Sequence, residues 1–269
     1  MSAPYSRVII TRPRQQNSKL QKRLTQIFSE QAITMPIVSM PLLEIVPIGE
    51  KDLAQAIHQA LAQTQWVSFV SPNAFWITDQ LLKQHHLPWP VHLKIAVVGG
   101  GSERSIIESG LEFVQIVKPQ DTTAWDSEGL WEALQVAQAQ WQGVRMVMIH
   151  GEGGRNFLAE HLLQAGAHIE EFAVYRRQGL ATNDPAWESI DTDQTSLWVF
   201  NSSQAGQALQ AGLKALGISS EFLRHETAIV SHSRIAVKIQ EIGFGHVQMI
   251  APGDEELIKT LLQNCKTAL

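Results

Sequence analysis

Three observations place this chain in the α/β class, as two similar halves that each carry a parallel sheet covered by helices on both faces. Short β-rich runs alternate with amphipathic helical stretches along all 269 residues. Most of the strand candidates are continuous apolar runs, which is how strands buried on both faces of a parallel sheet read. A strand that runs straight into a capped turn also occurs twice. Phe69-Val70-Ser71-Pro72-Asn73-Ala74 is answered by Phe200-Asn201-Ser202-Ser203-Gln204-Ala205, with Ser202 standing 131 residues after Ser71.

In chain order, Arg7–Thr11 is the first strand. The helix after it carries Leu20, Leu24, Ile27 and Phe28 on one face, with Ser18 and Gln21 at capping-box spacing. Residues 36–47 follow, where Pro36, Pro41 and Pro47 exclude both a helix and a central strand, so the segment reads as a connection. Asp52 opens a helix with Leu53, Ile57 and Leu61 at four-residue spacing. Strands are expected at Trp66–Val70, Lys94–Val98 and Phe113–Val117. Trp131, Leu134 and Trp141 form the stripe of another helix. Arg145–Ile149 and His168–Val174 are the next strands, and residues 172–179 read as a second connection. Leu197–Phe200, Thr227–Val230 and His246–Ile250 complete the set. The last helix opens at Asp254, with Glu255 and Glu256 in its first turn, where acidic groups suit the helix dipole. These apolar stripes are core positions.

The repetition extends past the two serine turns. Val97-Val98-Gly99 leads to a helix closed by Gly110, and Ile229-Val230-Ser231 leads to one closed by Gly243. Val8-Ile9-Ile10 parallels Val147-Met148-Ile149, and Asp126 and Asp254 each open the final helix of a half. Two five-strand halves explain this better than one ten-stranded sheet. The two connections then act as a short hinge between lobes.

Composition narrows the function. Hydrophobic residues make up 44% and charged residues 17%, as in a globular protein with a sizeable core. A net charge of −5 argues against a nucleic-acid partner but leaves room for a small anion in a local pocket. Cys265 is the only cysteine, so there is no disulfide framework or cysteine-based metal site. No apolar run is long enough to span a bilayer, and the first residues do not read as an export signal. These features together favour the cytoplasm.

The strand-to-helix turns are the candidate binding elements. Ser71 can cap the helix that Pro72 and Asn73 begin, and Ser202 or Ser203 can do the same in the second half. Gly99-Gly100-Gly101-Ser102 and Gly151-Glu152-Gly153-Gly154-Arg155 bring backbone to helix starts, and Ser231 and Ser233 flank the remaining one. In a parallel sheet all of these turns lie at the carboxyl ends of the strands, where such folds bind ligands. Helix N-termini offer unpaired N–H groups to carboxylate or phosphate. Arg12, just past the first strand, is a candidate carboxylate clamp. Tyr175, one of two tyrosines, is a candidate proton donor. Nucleotide motifs fail: Arg104 and Asn156 stand where a third glycine would be needed, and no Walker sequence occurs. No H-E-x-x-H or G-x-S-x-G occurs either, so no metal or serine triad is expected.

The ordered set of motifs resembles the uroporphyrinogen-III synthase family over almost the whole chain. It comprises Ile10-Thr11-Arg12-Pro13, Phe69-Val70-Ser71-Pro72-Asn73-Ala74, Val97-Val98-Gly99 with Gly110, and Asp126-Ser127-Glu128-Gly129-Leu130. It continues through Gly154-Arg155, Gly166-Ala167, Val174-Tyr175-Arg176-Arg177, Phe200-Asn201-Ser202-Ser203 and Gly243. The resemblance implies two flavodoxin-like three-layer lobes joined by a two-stranded ladder. It also implies that the N-terminal unit is swapped into the C-terminal lobe, so that residues 1–38 and 177–269 form one lobe, 44–172 the other, and 36–47 and 172–179 the connections. It implies cyclisation of hydroxymethylbilane with inversion of ring D and loss of water, by a monomer without cofactor or metal. A transient contact with the preceding enzyme of the pathway also belongs to this reading. Ser231-His232-Ser233-Arg234 departs from the Gly-Pro-Thr pattern of many relatives, and Asn201 stands where threonine is frequent. The rival reading is a non-enzymatic two-lobe protein closing on a polyanionic solute.

Overall fold

A computed structural model describes residues 5–113, 115–121, 125–153 and 156–266. The chain divides into two units, Met1–Glu44 with Gln178–Leu269, and Ile45–Arg177. It passes between them twice, within β3 (Leu43–Pro47) and within β8 (His168–Gly179), which are neighbours in one sheet.

The first unit is built on a sheet of five strands. β1 (Arg7–Ile10) lies between β2 (Ile37–Ser39) and β9 (Ser196–Phe200); β10 (Thr227–Val230) and β11 (His246–Met249) extend the other side. All four pairings are parallel. Side chains alternate between faces along each strand, and the core divides accordingly. Ile9, Trp198, Phe200, Ala228 and Val230 pack against α7 (Ser203–Leu216) and α8 (Ser233–Glu241). Val8, Ile10, Leu197, Val199 and Ile229 pack against α1 (Arg14–Glu30) and α9 (Asp254–Lys266).

The second unit has the same plan. β4 (Trp66–Phe69), β5 (Lys94–Val97), β6 (Gln115–Val117) and β7 (Arg145–Gly151) join β8 in the order β8-β7-β4-β5-β6, with parallel pairings throughout this set. One face carries Val67, Phe69, Ile95, Val97 and Ile149 against α2 (Lys51–Ala62), α3 (Pro72–Gln84) and α4 (Gly100–Glu108). The other carries Trp66, Ala96, Met146 and Met148 against α5 (Ser127–Ala137) and α6 (Phe157–Gln164). In space the order β2-β1-β9-β10-β11 of the first unit matches β8-β7-β4-β5-β6 of the second. The two parallel sheets and the two-unit α/β architecture agree with the fold class that the sequence implies.

Local expectations needed three corrections. α1 begins at Arg14 behind Pro13, four residues before Ser18, so Ser18 lies inside the helix and does not cap it. The extended backbone of Pro13 already provides the entry, and proline has no N–H that needs a partner there. Trp141 lies beyond α5, whose end is marked by extended backbone at Gln138. It packs with Trp66 and Trp131 at centroid separations of 5.6 and 6.4 Å. The proline-marked segment contains β2 as well as β3; β2 is only three residues long and sits at a sheet edge, where flanking prolines are tolerated.

Candidate active site

Each unit collects its strand-to-helix turns at the carboxyl edge of its own sheet. In the second unit, Ser71 follows β4 in extended conformation and its hydroxyl accepts from Ala74 N at 3.2 Å. Pro72 occupies the first helical position and Asn73 the second. Ser71 Oγ is also 2.9 Å from the hydroxyl of Tyr175. Tyr175 reaches this position through an irregularity in β8. His150 pairs with Ala173, but Gly151 pairs with Tyr175, so one residue of β8 is skipped at the sheet edge. Such a bulge re-aims the side chains beyond it. Val174 and Tyr175 consequently belong to the same core, both fully buried, although they are consecutive in a strand.

Three groups hold the phenol. Ser71 is the first. Arg177 is the second: its Nη2 donates to the phenolic oxygen at 2.9 Å, and its guanidinium lies 5.3 Å from the ring centroid. Gly151 is the third: a Cβ there would fall 2.5 Å from the tyrosine ring, so only glycine lets the ring lie against this backbone. Glu152 N donates to Tyr175 O at 2.7 Å and locks the strand end. Ser71, Gly151 and Tyr175 are separate candidates in the sequence, and the structure brings them together. The sequence motif does not by itself distinguish Arg177 from Arg176. The alternation of strand side chains is the signal that could have done so, because residues 175 and 177 share a face and 176 points away.

The glycine turn after β5 differs from the expectation of bare backbone. The indole of Trp125 lies across Gly99 and Gly100, where added Cβ atoms would come within 3.0 and 2.9 Å of it. These glycines are needed because a large ring approaches them. Ser102 is only 3% exposed, so its hydroxyl is withdrawn into the unit instead of facing a ligand. Glu103, in the same helical turn, is ion-paired with Lys118. Gly154 and Arg155 lie outside the described residues.

In the first unit, Ser202 caps α7 by accepting from Gln204 N at 3.1 Å, and Ser203 donates to the Arg234 carbonyl at 3.3 Å. Arg12, past β1, donates from Nε to Asn201 Oδ1 at 3.0 Å and pairs through Nη2 with the Asp254 carboxylate at 2.8 Å. The clamp expected at Arg12 therefore already holds a carboxylate, one that the protein supplies. At the turn after β10 neither serine is the cap. His232 takes that place, with Nδ1 accepting from Arg234 N at 3.1 Å, while Ser231 precedes the cap and Ser233 is the first helical residue. The extended backbone of His232 aims its ring at the open amide, so the histidine outcompetes both hydroxyls.

Two titratable groups are perturbed, and both lie away from these turns. Burial pushes the Glu226 carboxyl up from 4.5 to about 7, against opposing bonds from Ser196 N and the Trp198 indole and the charge of Arg7. Glu226 sits at the amino edge of the first unit's sheet, immediately before β10. Burial also raises the Cys265 thiol to about 11, which suits an inert core position. Among the described residues there is no cluster of three His, Cys, Asp or Glu side chains that could hold a metal, and no helix is long and apolar enough to cross a membrane.

A doubled parallel α/β scaffold, with capped turns at the carboxyl edges and a buried tyrosine among them, belongs to the class of two-lobed α/β enzymes. The family model for uroporphyrinogen-III synthase HemD matches residues 29–259. A curated uroporphyrinogen-III synthase from Proteus mirabilis is 26% identical over 170 residues, which is 63% of this chain and 79% of that relative. The solved structure of a uroporphyrinogen-III synthetase from Helicobacter pylori has a TM-score of 0.60 at 13% identity, covering 96% of this chain and 98% of that one. A mutant uroporphyrinogen III synthase from the extremely thermophilic bacterium Thermus thermophilus gives a TM-score of 0.56 at 13% identity, with 97% and 99% coverage. At those identities the structural likeness speaks for the fold. The chain belongs to the uroporphyrinogen-III synthase family, enzymes of tetrapyrrole biosynthesis that cyclise hydroxymethylbilane in a lyase-type reaction.

Proposed function

We propose that Tyr175 is the general acid of this cyclisation and that the capped turns bind the substrate's carboxylates. The single observation that carries the assignment is the convergence of Ser71, Arg177 and Gly151 on one buried phenol at the carboxyl edge of a parallel sheet. In this reading the phenol donates its proton to the hydroxyl on ring A of hydroxymethylbilane. The C–O bond breaks and water leaves. The azafulvene cation that remains is attacked by ring D at its substituted carbon, the spiro intermediate fragments and recloses with ring D inverted, and loss of a proton from the reclosed cation restores both the aromatic pyrrole and the phenol. The acetate and propionate groups of the substrate need donors. Helix N-termini behind Ser71 and Ser202 supply them locally in a chain of net charge −5. Folding the linear tetrapyrrole so that the inverting attack is the near one is the larger contribution. Because Tyr175 is fully buried, the groups that cover it must part as substrate enters. The enzyme acts as a cytoplasmic monomer, receiving its substrate through transient contact with the enzyme that makes it.

The test is Tyr175→Phe, which keeps the ring on Gly151 and removes the hydroxyl. Turnover should fall about 100-fold, the usual size of general-acid catalysis, with KM little changed. The ratio of inverted to uninverted product isomer, measured on freshly generated substrate, reports folding of the chain separately from proton transfer. Unchanged turnover removes the acid role.

A further inference from the structure

The proton-donor reading leaves open why the phenol should present its hydrogen instead of a lone pair. Arg177 answers this. A guanidinium has donors and no acceptor, so in the contact at 2.9 Å the tyrosine oxygen can only accept. Its own hydrogen is thereby turned away from Arg177. The other hydroxyl beside it is Ser71 Oγ at 2.9 Å, which already accepts the Ala74 amide and has a second lone pair available. We propose that Arg177 is a positioning residue: it fixes the polarity of a chain running from Arg177 to Tyr175 to Ser71, so that Tyr175 always faces its reaction partner as a donor. Substrate replaces Ser71 as acceptor when the proton is delivered. Ser71 keeps its own hydrogen; the proton that the substrate loses as the closed ring rearomatises restores the tyrosine hydroxyl, and the chain of bonds from Arg177 is re-formed. The guanidinium also lies over the ring face, so the same side chain fixes both the plane and the polarity of the phenol. Strand alternation puts Arg177 on that face, and Gly151 leaves the ring free to lie flat beneath it. Arg177 is itself exposed, so replacing it leaves the core intact.

This inference rests on Tyr175 acting as the acid, and the experiment separates the two. The chain has two tyrosines, Tyr5 and Tyr175, so 3-fluorotyrosine labelling yields two fluorine resonances that Tyr175→Phe assigns. Arg177→Met should move the Tyr175 resonance and leave that of Tyr5 in place. It should also lower kcat about tenfold at nearly constant KM, the size expected for loss of a charge-assisted hydrogen bond. Arg177→Lys, which can still donate, should recover part of the loss. In the Tyr175→Phe background, Arg177→Met should change kcat by less than about twofold. An unmoved Tyr175 resonance in both Arg177 variants overturns the inference whatever Tyr175 does. Impaired Tyr175→Phe with an equal Arg177→Met loss in both backgrounds leaves the acid role standing and overturns positioning, since Arg177 would then act on a substrate carboxylate itself. A shifted resonance with full turnover in Tyr175→Phe sinks the acid role, and positioning falls with it.

Discussion

Ser71 and Ser202 occupy the same corner of the same strand order, and beyond the helix cap and a nearby arginine their surroundings differ. Around Ser71 the neighbours are a buried phenol, a glycine that makes room for it and an arginine that donates to it. Around Ser202 they are an arginine already matched by the carboxylate of Asp254 and by Asn201. The strand that corresponds to β8 is β2, whose Ile-Val-Ser offers no tyrosine. What the units share is what a parallel sheet demands of any strand-to-helix turn: an extended residue with a side-chain acceptor for the open amides. What differs is set by chemistry. Of two equivalent corners, one holds a hydrogen-bonded phenol, serine and arginine and the other a closed ion pair.

The far edges of the sheets differ too, and there the largest effect is expected. Glu226 precedes β10 in the first unit, and the residue preceding β5 in the second is Leu93, fully buried. With a folded value of about 7 against 4.5, Glu226 holds a proton in the native state that the unfolded chain releases. Its contribution to stability is complete below pH 4.5 and is lost as pH rises through 7, amounting to about 3 kcal/mol above about pH 8. Protection of the Ser196 amide, corrected for the intrinsic pH dependence of exchange, should follow that fall in wild type and stay level across this range in Glu226→Gln. Peptides from the second unit should show no such trend. A trend common to both units would break the comparison.

Gly151→Ala comes next. The added methyl meets the Tyr175 ring at 2.5 Å, and overpacking of this kind costs about 1–3 kcal/mol. Thermal unfolding should register it together with a drop in turnover. Gly101→Ala is the control: its nearest neighbour is Pro72 at 3.4 Å, and the substitution should be neutral or mildly stabilising. Removing the two caps sharpens the contrast directly. Ser71→Ala and Ser202→Ala should each cost about 1 kcal/mol. Only Ser71→Ala should also lower kcat, and equal kinetic losses would erase the functional distinction between the corners. The smallest effect belongs to Asp254→Asn. An ion pair whose acidic partner is 40% exposed contributes less than about 1 kcal/mol to stability. If Arg12 exchanges Asp254 for a substrate carboxylate, steady-state kinetics will show a lower KM; a raised KM would mean that Asp254 instead holds Arg12 in place.

The strands were legible because burial on both faces writes continuous apolar runs, and the halves were legible because Ser71 and Ser202 recur in the same company. β2 was not, because three residues between prolines carry no period. Tyr175 stood out by its rarity and by its place in Val174-Tyr175-Arg176-Arg177. Its partners depend on a one-residue slip between β7 and β8, and no pattern along a single strand records a slip against its neighbour. The Trp125 contact with Gly99 was hidden for a related reason: glycine in a turn looks the same whether a ligand or an indole approaches it. Glu226 looks in sequence like any acidic residue before a strand, and only the packing around it reveals its isolation from water.

The strand arrangement has a consequence for biosynthesis. Val8 of β1 pairs with Leu197 of β9, and the whole second unit is encoded between them. At ~5–20 residues per second, β1 waits about 10–40 s after it is made before its neighbour is synthesised. Throughout that interval one edge of β1 lacks its native partner, and by its end the second unit has all the strands of its own five-strand set. The nascent chain therefore matures from the inside outward, and the first strand synthesised is among the last to be enclosed.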